Sequence, residues 1–77
     1  MSELKFEIVD RIGVISVGRN GWSKEVNRVS WNGAEPKIDI RDWSADHSKM
    51  GKGLTFALRD AETLAMILHN YIAERSE

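Results

Sequence analysis

The sequence contains no cysteine, a single proline and no long uninterrupted apolar run. The absence of cysteine excludes a disulfide framework, a thiolate zinc site and a cysteine nucleophile, and it fits a reducing compartment. Residues 1–11 carry the acids Glu3, Glu7 and Asp10, and they lack the apolar stretch of a signal peptide or a membrane span. We therefore expect a cytoplasmic protein that does not bind a membrane.

The chain is also too short to bury a large core. Its 77 residues make one domain with room for one function, and they contain no repeat, no low-complexity stretch and no linker. A core of this size gives a narrow margin of stability, which self-association can widen by burying further apolar surface. We expect residues 1–77 to form one domain and two copies to form a homodimer.

The charge is nearly balanced overall but unevenly distributed. A net charge of −1 counts against a polyanionic partner, because such partners usually require a basic balance. Residues 19–59, however, hold eight Lys and Arg against five Asp and Glu, a net charge of +3. Both ends are acidic, with −1 over residues 1–18 and −3 over residues 60–77. The middle of the chain is therefore suited to an anionic partner.

Four strand-like segments precede one helical segment. The first runs from Lys5 to Val17 and is rich in β-branched residues, and Gly13 predicts a bend or bulge near its middle. The others span Trp22–Trp31, Pro36–Trp43 and Gly51–Ala57. The second has apolar residues on both faces, so the pattern does not decide which face points inward. The order of the elements predicts an α+β fold.

The helix has the clearest pattern. Its apolar residues stand at helical spacing and form one stripe: Leu64, Ile67, Leu68, Tyr71 and Ile72. We expect the helix to run from Asp60, as its N-cap, to about Glu74 and to cover one face of the sheet. The other sheet face would then remain open to solvent or to a partner.

Charged and aromatic residues alternate with apolar ones along the third strand. Because strand side chains alternate between faces, Lys37, Arg41 and Trp43 share one side. Ile38 and Ile40 lie on the other side, which we expect to point inward. Cations bind phosphate oxygens, and an exposed indole stacks on an unpaired base. The face with Trp43 therefore favours single-stranded nucleic acid as the ligand.

Each of these features also has a structural explanation. All three tryptophans could belong to the core, because indoles are usually well buried. Alternation favours Trp43 as an exposed ring, followed by Trp31, whereas Trp22 lies beside a turn and can pack at a strand end or an interface. The basic residues could be ordinary surface charges paired with neighbouring acids.

No catalytic arrangement is visible in the sequence. The glycines around Lys52 are like those of a phosphate loop, but the Ser or Thr and the helix of a Walker motif do not follow them. Asp39 and Asp42 fall on opposite faces of a strand, so one metal ion cannot join them easily. His47 and His69 have no evident carboxylate or nucleophile partner. We predict a non-enzymatic protein without a cofactor or a bound metal ion.

Four segments together resemble the single-strand-binding transcriptional coactivator p15 (positive cofactor) family, and more closely its short bacterial members of the YdbC type. They are FEIVDRIGV at Phe6–Val14, VSWNG at Val29–Gly33, PKIDIRDW at Pro36–Trp43 and KMGKGL at Lys49–Leu54. IDIRDW followed by GKGL is the most specific part. The resemblance implies four antiparallel strands and a C-terminal helix in a homodimer, whose curved sheets bind single-stranded DNA with aromatic and basic side chains.

The resemblance also implies roles for individual residues. It places Trp43 as a stacking aromatic and Trp31 as a second platform, and it matches Arg41, Lys49 and Lys52 to phosphate-binding positions. The candidate nucleic-acid-binding residues from the residue pattern and the resemblance together are Trp31, Trp43, Arg41, Lys37, Lys49, Lys52, Lys24 and Arg28.

We therefore predict a homodimer that binds single-stranded DNA, with single-stranded RNA as a further ligand, and that shows little sequence preference. Transcription regulation, replication and repair all fit this activity, with the transcription machinery as a partner and the nucleoid as the location in a bacterium. The main alternative is a protein–protein interaction module that uses the exposed aromatic sheet face. A metal-dependent hydrolase that uses the aspartates is a weaker alternative.

Overall fold

Four β-strands and one C-terminal helix make up the α+β structure, as predicted. The structure is a computed structural model, and it describes residues 5–75. The elements are β1 (Phe6–Val17), β2 (Ser23–Trp31), β3 (Lys37–Trp43), β4 (Met50–Phe56) and α1 (Leu58–Arg75). Each strand bound lies within one residue of its prediction. Among residues 5–75, no helix has the length and the apolar character needed to cross a bilayer.

The strands form one antiparallel sheet in the order β1-β2-β3-β4, so each strand pairs with the next along the chain. A tight turn follows β2, where the Ala34 N–H donates to the Trp31 carbonyl at 2.9 Å. The two central residues, Asn32 and Gly33, have φ angles of 53° and 78°. Positive φ at both positions is typical of a type I′ turn, which Asn-Gly adopts readily. This turn reverses the chain directly after Trp31, the last residue of β2.

β1 is irregular, and the sheet is strongly curved. The pairing of β1 with β2 shifts register at three places, one of them between Arg11 and Gly13, which confirms the predicted irregularity near Gly13. Such bulges bend a strand and increase its twist. Phe6 is the partner of Trp31 in β2, and their ring centroids lie 5.9 Å apart. The partner of Trp43 in β2 is Ser23, at the opposite end of β2. The 5.1 Å between the centroids of Phe6 and Trp43 therefore requires a concave sheet.

The concave face, which includes Trp43, is the inner face of the sheet, although the sequence predicted that this face is open. On β3, Trp43 and Asp39 are completely buried, whereas Ile38 and Ile40 are only half-buried. The prediction that the isoleucines face inward and that the face of Trp43 is open is therefore wrong. Alternation defines two faces correctly, but curvature decides which one is enclosed. On β2, where the sequence left the choice open, the enclosed residues are Glu25, Asn27 and Val29.

The helix begins two residues earlier than predicted, at Leu58, so Asp60 lies in the first turn instead of at the N-cap. A carboxylate in the first turn still interacts favourably with the helix dipole. No residue of α1 is buried, so the prediction that the helix covers one face of the sheet is wrong. Only Ala61 and Leu64 are half-buried, near the helix start. Most of the apolar stripe is exposed: Ile67, Leu68, Tyr71 and Ile72.

The single chain is consequently extended. Its radius of gyration is 14.2 Å, whereas a compact chain of this length would have about 11 to 12 Å. Val29 and Trp43 are the hydrophobic side chains of the described residues that are fully enclosed. A single copy therefore buries little apolar surface for its length.

We predict that Gly53→Ala destabilises the fold. A Cβ at this position of β4 would overlap the Arg41 Cβ and the Ile40 carbonyl oxygen, and it would lie 2.9 Å from the Arg41 Nε. Overpacking of this kind costs about 1 to 3 kcal/mol, measured as the change in the free energy of unfolding in urea. Gly13→Ala is the matched control, because a Cβ there meets nothing within 4 Å. Equal stability of the two variants would contradict the close approach at Gly53.

Candidate nucleic-acid interface

Trp43 lies at the bottom of the concave face. The Phe6 ring packs against it at 5.1 Å, and the His47 ring stacks on it at 5.6 Å with an interplanar angle of 26°. Trp43 has no exposed surface, so the prediction that it is an exposed platform is wrong. The curved sheet encloses the ring from one side, and the loop after β3 places His47 over it. Trp43 therefore lies beneath the accessible surface of the concave face.

Trp31 is the aromatic candidate that keeps accessible surface. It is half-buried at the end of β2, between the ring of Phe6 and the side chain of Arg41. The Arg41 Cζ lies 4.6 Å from the centroid of the indole, a distance suited to a cation–π contact. Trp22, half-buried just before β2, lies at a strand end, as the sequence suggested. Trp31 therefore keeps only the part of its surface that Phe6 and Arg41 do not cover.

Arg41 is engaged within the chain. Its Nε and Nη2 atoms donate to the two carboxylate oxygens of Asp39 at 2.7 and 2.8 Å. Its Nη1 donates to the Gly51 carbonyl at 3.3 Å. Thr55 Oγ1 donates a further hydrogen bond to Asp39 at 3.1 Å. The side chain of Arg41 is only 14% exposed, so the guanidinium is not presented to solvent as the sequence led us to expect.

The other cations divide into a free group and a paired group. Lys37, Lys49 and Lys52 are exposed, and no side-chain hydrogen bond or ion pair engages them within residues 5–75. Lys37 shares the concave face of Val29, its partner in β2. Lys49 and Lys52 lie on either side of the start of β4. Three exposed cations of the candidate set are therefore unpaired in the described part of the chain, and the strand register places Lys37 on the concave face.

The paired cations lie on β2 and point to the convex face, away from Trp31. Lys24 Nζ lies 3.1 Å from Asp42 Oδ1, and Arg28 Nη1 lies 3.3 Å from Asp10 Oδ2. All four side chains are between 43% and 60% exposed, and ion pairs at such exposure contribute little to stability. The structure therefore does not bring Lys24 and Arg28 together with the aromatic rings.

A buried carboxylate beneath the loop was not recognised in the sequence. Glu25 is 5% exposed, and it accepts hydrogen bonds from Ser23, from Asn27 at 3.0 Å and from His47 Nε2 at 2.9 Å. Burial raises the pKa of Glu25, but the hydrogen bonds from Ser23, Asn27 and His47 outweigh it and lower the pKa overall. The prediction that His47 lacks a carboxylate partner is wrong. Polar residues at positions 23, 25 and 27 share one strand face, and that spacing was the available signal.

The loop between β3 and β4 is organised around Asp46. Its Oδ1 accepts hydrogen bonds from Ser44 Oγ at 2.9 Å, from the Ser48 N–H at 3.0 Å and from Ser48 Oγ at 2.7 Å. The Ser44 N–H donates to the Lys49 carbonyl at 3.0 Å and closes the loop. The hydrogen bonds from Ser48 and Ser44 lower the pKa of Asp46 to about 2. This loop fixes the positions of His47 and Lys49.

Chemistry at a metal ion has no support in the described residues. Across residues 5–75, no group of three His, Asp or Glu side chains could hold a metal ion. Asp39 and Asp42 point to opposite faces, since Asp39 pairs with Asn27 and Asp42 with Lys24. That separation was predicted from the alternation along β3.

We predict that Trp43→Ala lowers the free energy of unfolding by about 3 to 5 kcal/mol, the usual cost of removing a buried aromatic ring. Urea unfolding followed by circular dichroism measures the change. Trp22→Ala is the control, because Trp22 is only half-buried. A Trp43 variant as stable as the wild type would contradict the burial of this ring.

The low pKa of Asp46 makes the loop between β3 and β4 sensitive to acid. A carboxyl with a folded pKa of about 2 and an unfolded pKa near 3.9 stabilises the fold fully above about pH 4, and this contribution disappears as the pH falls through 2. NMR titration of the Asp46 carboxyl should show the low pKa, and the chemical shift of the Ser48 amide should follow the same titration, with a midpoint at about pH 2. Asp46→Asn should show faster Ser48 exchange at neutral pH. An ordinary pKa for Asp46 would disprove the hydrogen bonding described for this loop.

Two comparisons with known proteins agree with the motifs. The family model of Transcriptional Coactivator p15 (PC4) matches residues 19–67, a range that includes every candidate nucleic-acid-binding residue. An uncharacterized protein of Treponema pallidum (strain Nichols) is 41% identical to this chain over 68 residues, which cover 88% of this chain and 80% of that protein. The resemblance seen in the sequence is confirmed. The chain therefore belongs to the Transcriptional Coactivator p15 (PC4) family.

Proposed function

We propose that this protein binds single-stranded DNA with little sequence preference, by stacking bases on Trp31 and by holding phosphates with exposed lysines. The observation that carries the proposal is the family match, because the p15 (PC4) family binds single-stranded DNA and the match spans residues 19–67. RNA is a second ligand of the same chemistry, since an unpaired base presents the same flat ring in either polymer.

The geometry supports the proposal in two ways. Trp31 keeps accessible surface beside the concave face, and base–aromatic stacking is worth about 1 to 3 kcal/mol per base. Lys37, Lys49 and Lys52 are exposed, and each lysine that neutralises a phosphate releases counterions and adds a salt-dependent contribution to affinity. The net charge of +3 over residues 19–59 gives the same region an attractive field despite the acidic ends.

We propose no catalytic role for the buried polar residues. Ser23, Glu25 and His47 are the residue types of a catalytic triad, but Ser23 and His47 both hydrogen-bond to the carboxylate of Glu25. In a working triad, the histidine lies between the acid and the serine and takes the hydroxyl proton. The observed order instead satisfies a buried charge, which is a structural role.

We also propose that the active form is a homodimer. The stripe of α1 is exposed at Ile67, Leu68, Tyr71 and Ile72, with exposures between 50% and 60%. A contiguous exposed apolar surface on a small chain usually marks an interface, and closed two-fold symmetry is the commonest way to bury one. Two copies would also place two concave faces in one particle, which strengthens binding to a single strand through multivalency.

The biological setting follows from strand binding, and transcription regulation, replication and repair all expose single strands. We favour transcription regulation, with the transcription machinery as a partner and the cytoplasm or the nucleoid as the location, because the matching family is one of transcriptional coactivators. A protein–protein interaction module is the alternative, favoured by exposed apolar residues such as Leu54, at 64%.

The function is tested by fluorescence anisotropy with a labelled 20-nucleotide strand and with its duplex, at two salt concentrations. We expect tighter binding to the single strand, with quenching of tryptophan fluorescence and with an affinity that falls as salt rises. Equal affinity for the duplex would refute stacking. Absence of binding would favour the interaction module, whose association depends less on salt.

Lys52→Ala tests the phosphate contacts. The salt slope of log K for the single strand should become shallower by about 0.7, the value for one phosphate contact on a single strand. Arg59→Ala is the matched control, because Arg59 is an exposed cation of α1 outside the candidate set. The assignment of Lys52 fails if both variants change the slope equally.

Ile67→Asp tests the dimer. A charge in the apolar stripe should convert a dimer into a monomer at micromolar concentration, as measured by light scattering after size exclusion. Asn70→Asp, an exposed change outside the stripe, should remain dimeric. A monomeric wild-type protein would disprove the proposed assembly.

A further inference from the structure

The guanidinium group of Arg41 lies against the indole of Trp31 and is held there on several sides. Asp39 binds it through two parallel hydrogen bonds of 2.7 and 2.8 Å, and the Gly51 carbonyl accepts a third of 3.3 Å. All three nitrogen atoms of the side chain therefore donate within the chain. Three of the five N–H donors of the guanidinium are thus engaged, and with a side chain only 14% exposed Arg41 presents little of itself to a phosphate.

Burial of the Asp39 carboxylate removes its hydration by water. Asp39 is completely buried, and a buried ion pair loses hydration energy that its own attraction repays only with good geometry. Here Thr55 supplies a further hydrogen bond of 3.1 Å to Asp39. The arrangement therefore fixes the position of Arg41 far more closely than a surface ion pair would.

The neighbouring strand leaves room for this side chain. Gly53 pairs with Arg41 across β3 and β4, and a Cβ at position 53 would overlap the Arg41 Cβ. The absence of a side chain there allows Arg41 to lie along the sheet toward Trp31, whose ring centroid is 4.6 Å from Cζ. The Trp31 indole thus packs against Arg41, whose position is fixed by hydrogen bonds to Asp39 and by the close approach of Gly53.

We propose that Asp39 and Arg41 are positioning residues, which act on the ligand through Trp31 and not through a phosphate. This inference rests on the proposed binding of single strands. A planar cation stacked on the indole fixes the orientation of the ring before a base arrives. Preorganisation of this kind improves affinity because less side-chain freedom is lost on binding.

The two roles of Arg41 predict opposite effects of Asp39→Asn. If Arg41 were a phosphate ligand, removing the carboxylate charge would free the guanidinium, tighten binding and steepen the salt slope. If Arg41 positions Trp31, the same change weakens binding by about fivefold or more and leaves the salt slope unchanged. Tryptophan quenching by the strand should decrease in parallel. Tighter binding or a steeper slope overturns the inference.

Arg41→Lys separates charge from shape. Lysine keeps the positive charge but lacks the planar fork that pairs with a carboxylate and stacks on an indole. We expect the same loss of affinity as for Asp39→Asn, again with an unchanged salt slope. Wild-type affinity in Arg41→Lys would show that charge alone matters and would overturn the inference.

A double-mutant cycle tests whether the effect passes through Trp31. In a Trp31→Leu background, Arg41→Lys should cause no further loss of affinity, because the ring that it positions is gone. A merely structural role of Arg41 would reduce binding equally in both backgrounds, and that result would contradict the proposal.

Loss of the buried pair could also unfold the protein, so each variant is first checked by circular dichroism and urea unfolding. Thr55→Val decides the question if Asp39→Asn and Arg41→Lys do not fold, because it removes one hydrogen bond to Asp39 from an exposed position. When Trp31 is present, Thr55→Val should weaken binding and leave the salt slope unchanged. In the Trp31→Leu background it should cause no further loss of affinity. Wild-type affinity in Thr55→Val would then overturn the inference.

The wild-type titration distinguishes this inference from the function on which it rests. A wild-type protein that does not bind single strands disproves both. A wild-type protein that binds and is weakened by Trp31→Leu, but not by the changes at Asp39 or Arg41, supports the function and disproves the positioning role alone.

Discussion

The curvature of the sheet is the constraint on which the rest of this structure depends. Register shifts along β1 bend the sheet until Phe6, the cross-strand partner of Trp31, also contacts Trp43. That bend converts one face of a four-stranded meander into an interior, which a flat sheet of this size could not provide. The burial of Trp43, the position of His47 over it and the partial exposure of Trp31 all follow from the same bend.

The enclosed face is unusually polar, and its carboxylates are hydrogen-bonded, whereas the indole N–H groups of Trp31 and Trp43 have no hydrogen-bond partner among the described residues. Glu25, Asn27 and Asp39 are buried together with Val29 and Trp43, and each carboxylate accepts at least three hydrogen bonds. A network of this kind specifies one arrangement of side chains, because removing any member leaves a buried group unpaired.

The sequence predicted the elements well because their signals are local. The stripe of α1, the irregularity near Gly13 and the alternation along β3 are each contained in a few neighbouring residues, and all of them were found. The family was also evident from the motifs, and the matching residues 19–67 agree with it.

The interior of the sheet was harder to predict, for physical reasons. Alternation shows that Trp43 and Ile40 lie on different faces, but only the global bend decides which face is enclosed. The contact between His47 and Glu25 joins residues that are 22 positions apart, and no local pattern reports such a pair. The ion pair of Arg41 with the buried Asp39 was not foreseen, because an arginine suits either a phosphate or a buried carboxylate.

The polar interior also has a thermodynamic consequence. The heat-capacity change of unfolding rises with the apolar surface that becomes exposed and falls with the polar surface. A chain that fully encloses only Val29 and Trp43 among its hydrophobic side chains within residues 5–75 unfolds with a small heat-capacity change for its length. The stability curve of a single copy is therefore only weakly curved, and burying the exposed stripe of α1 against a second copy would raise the heat-capacity change and increase the curvature.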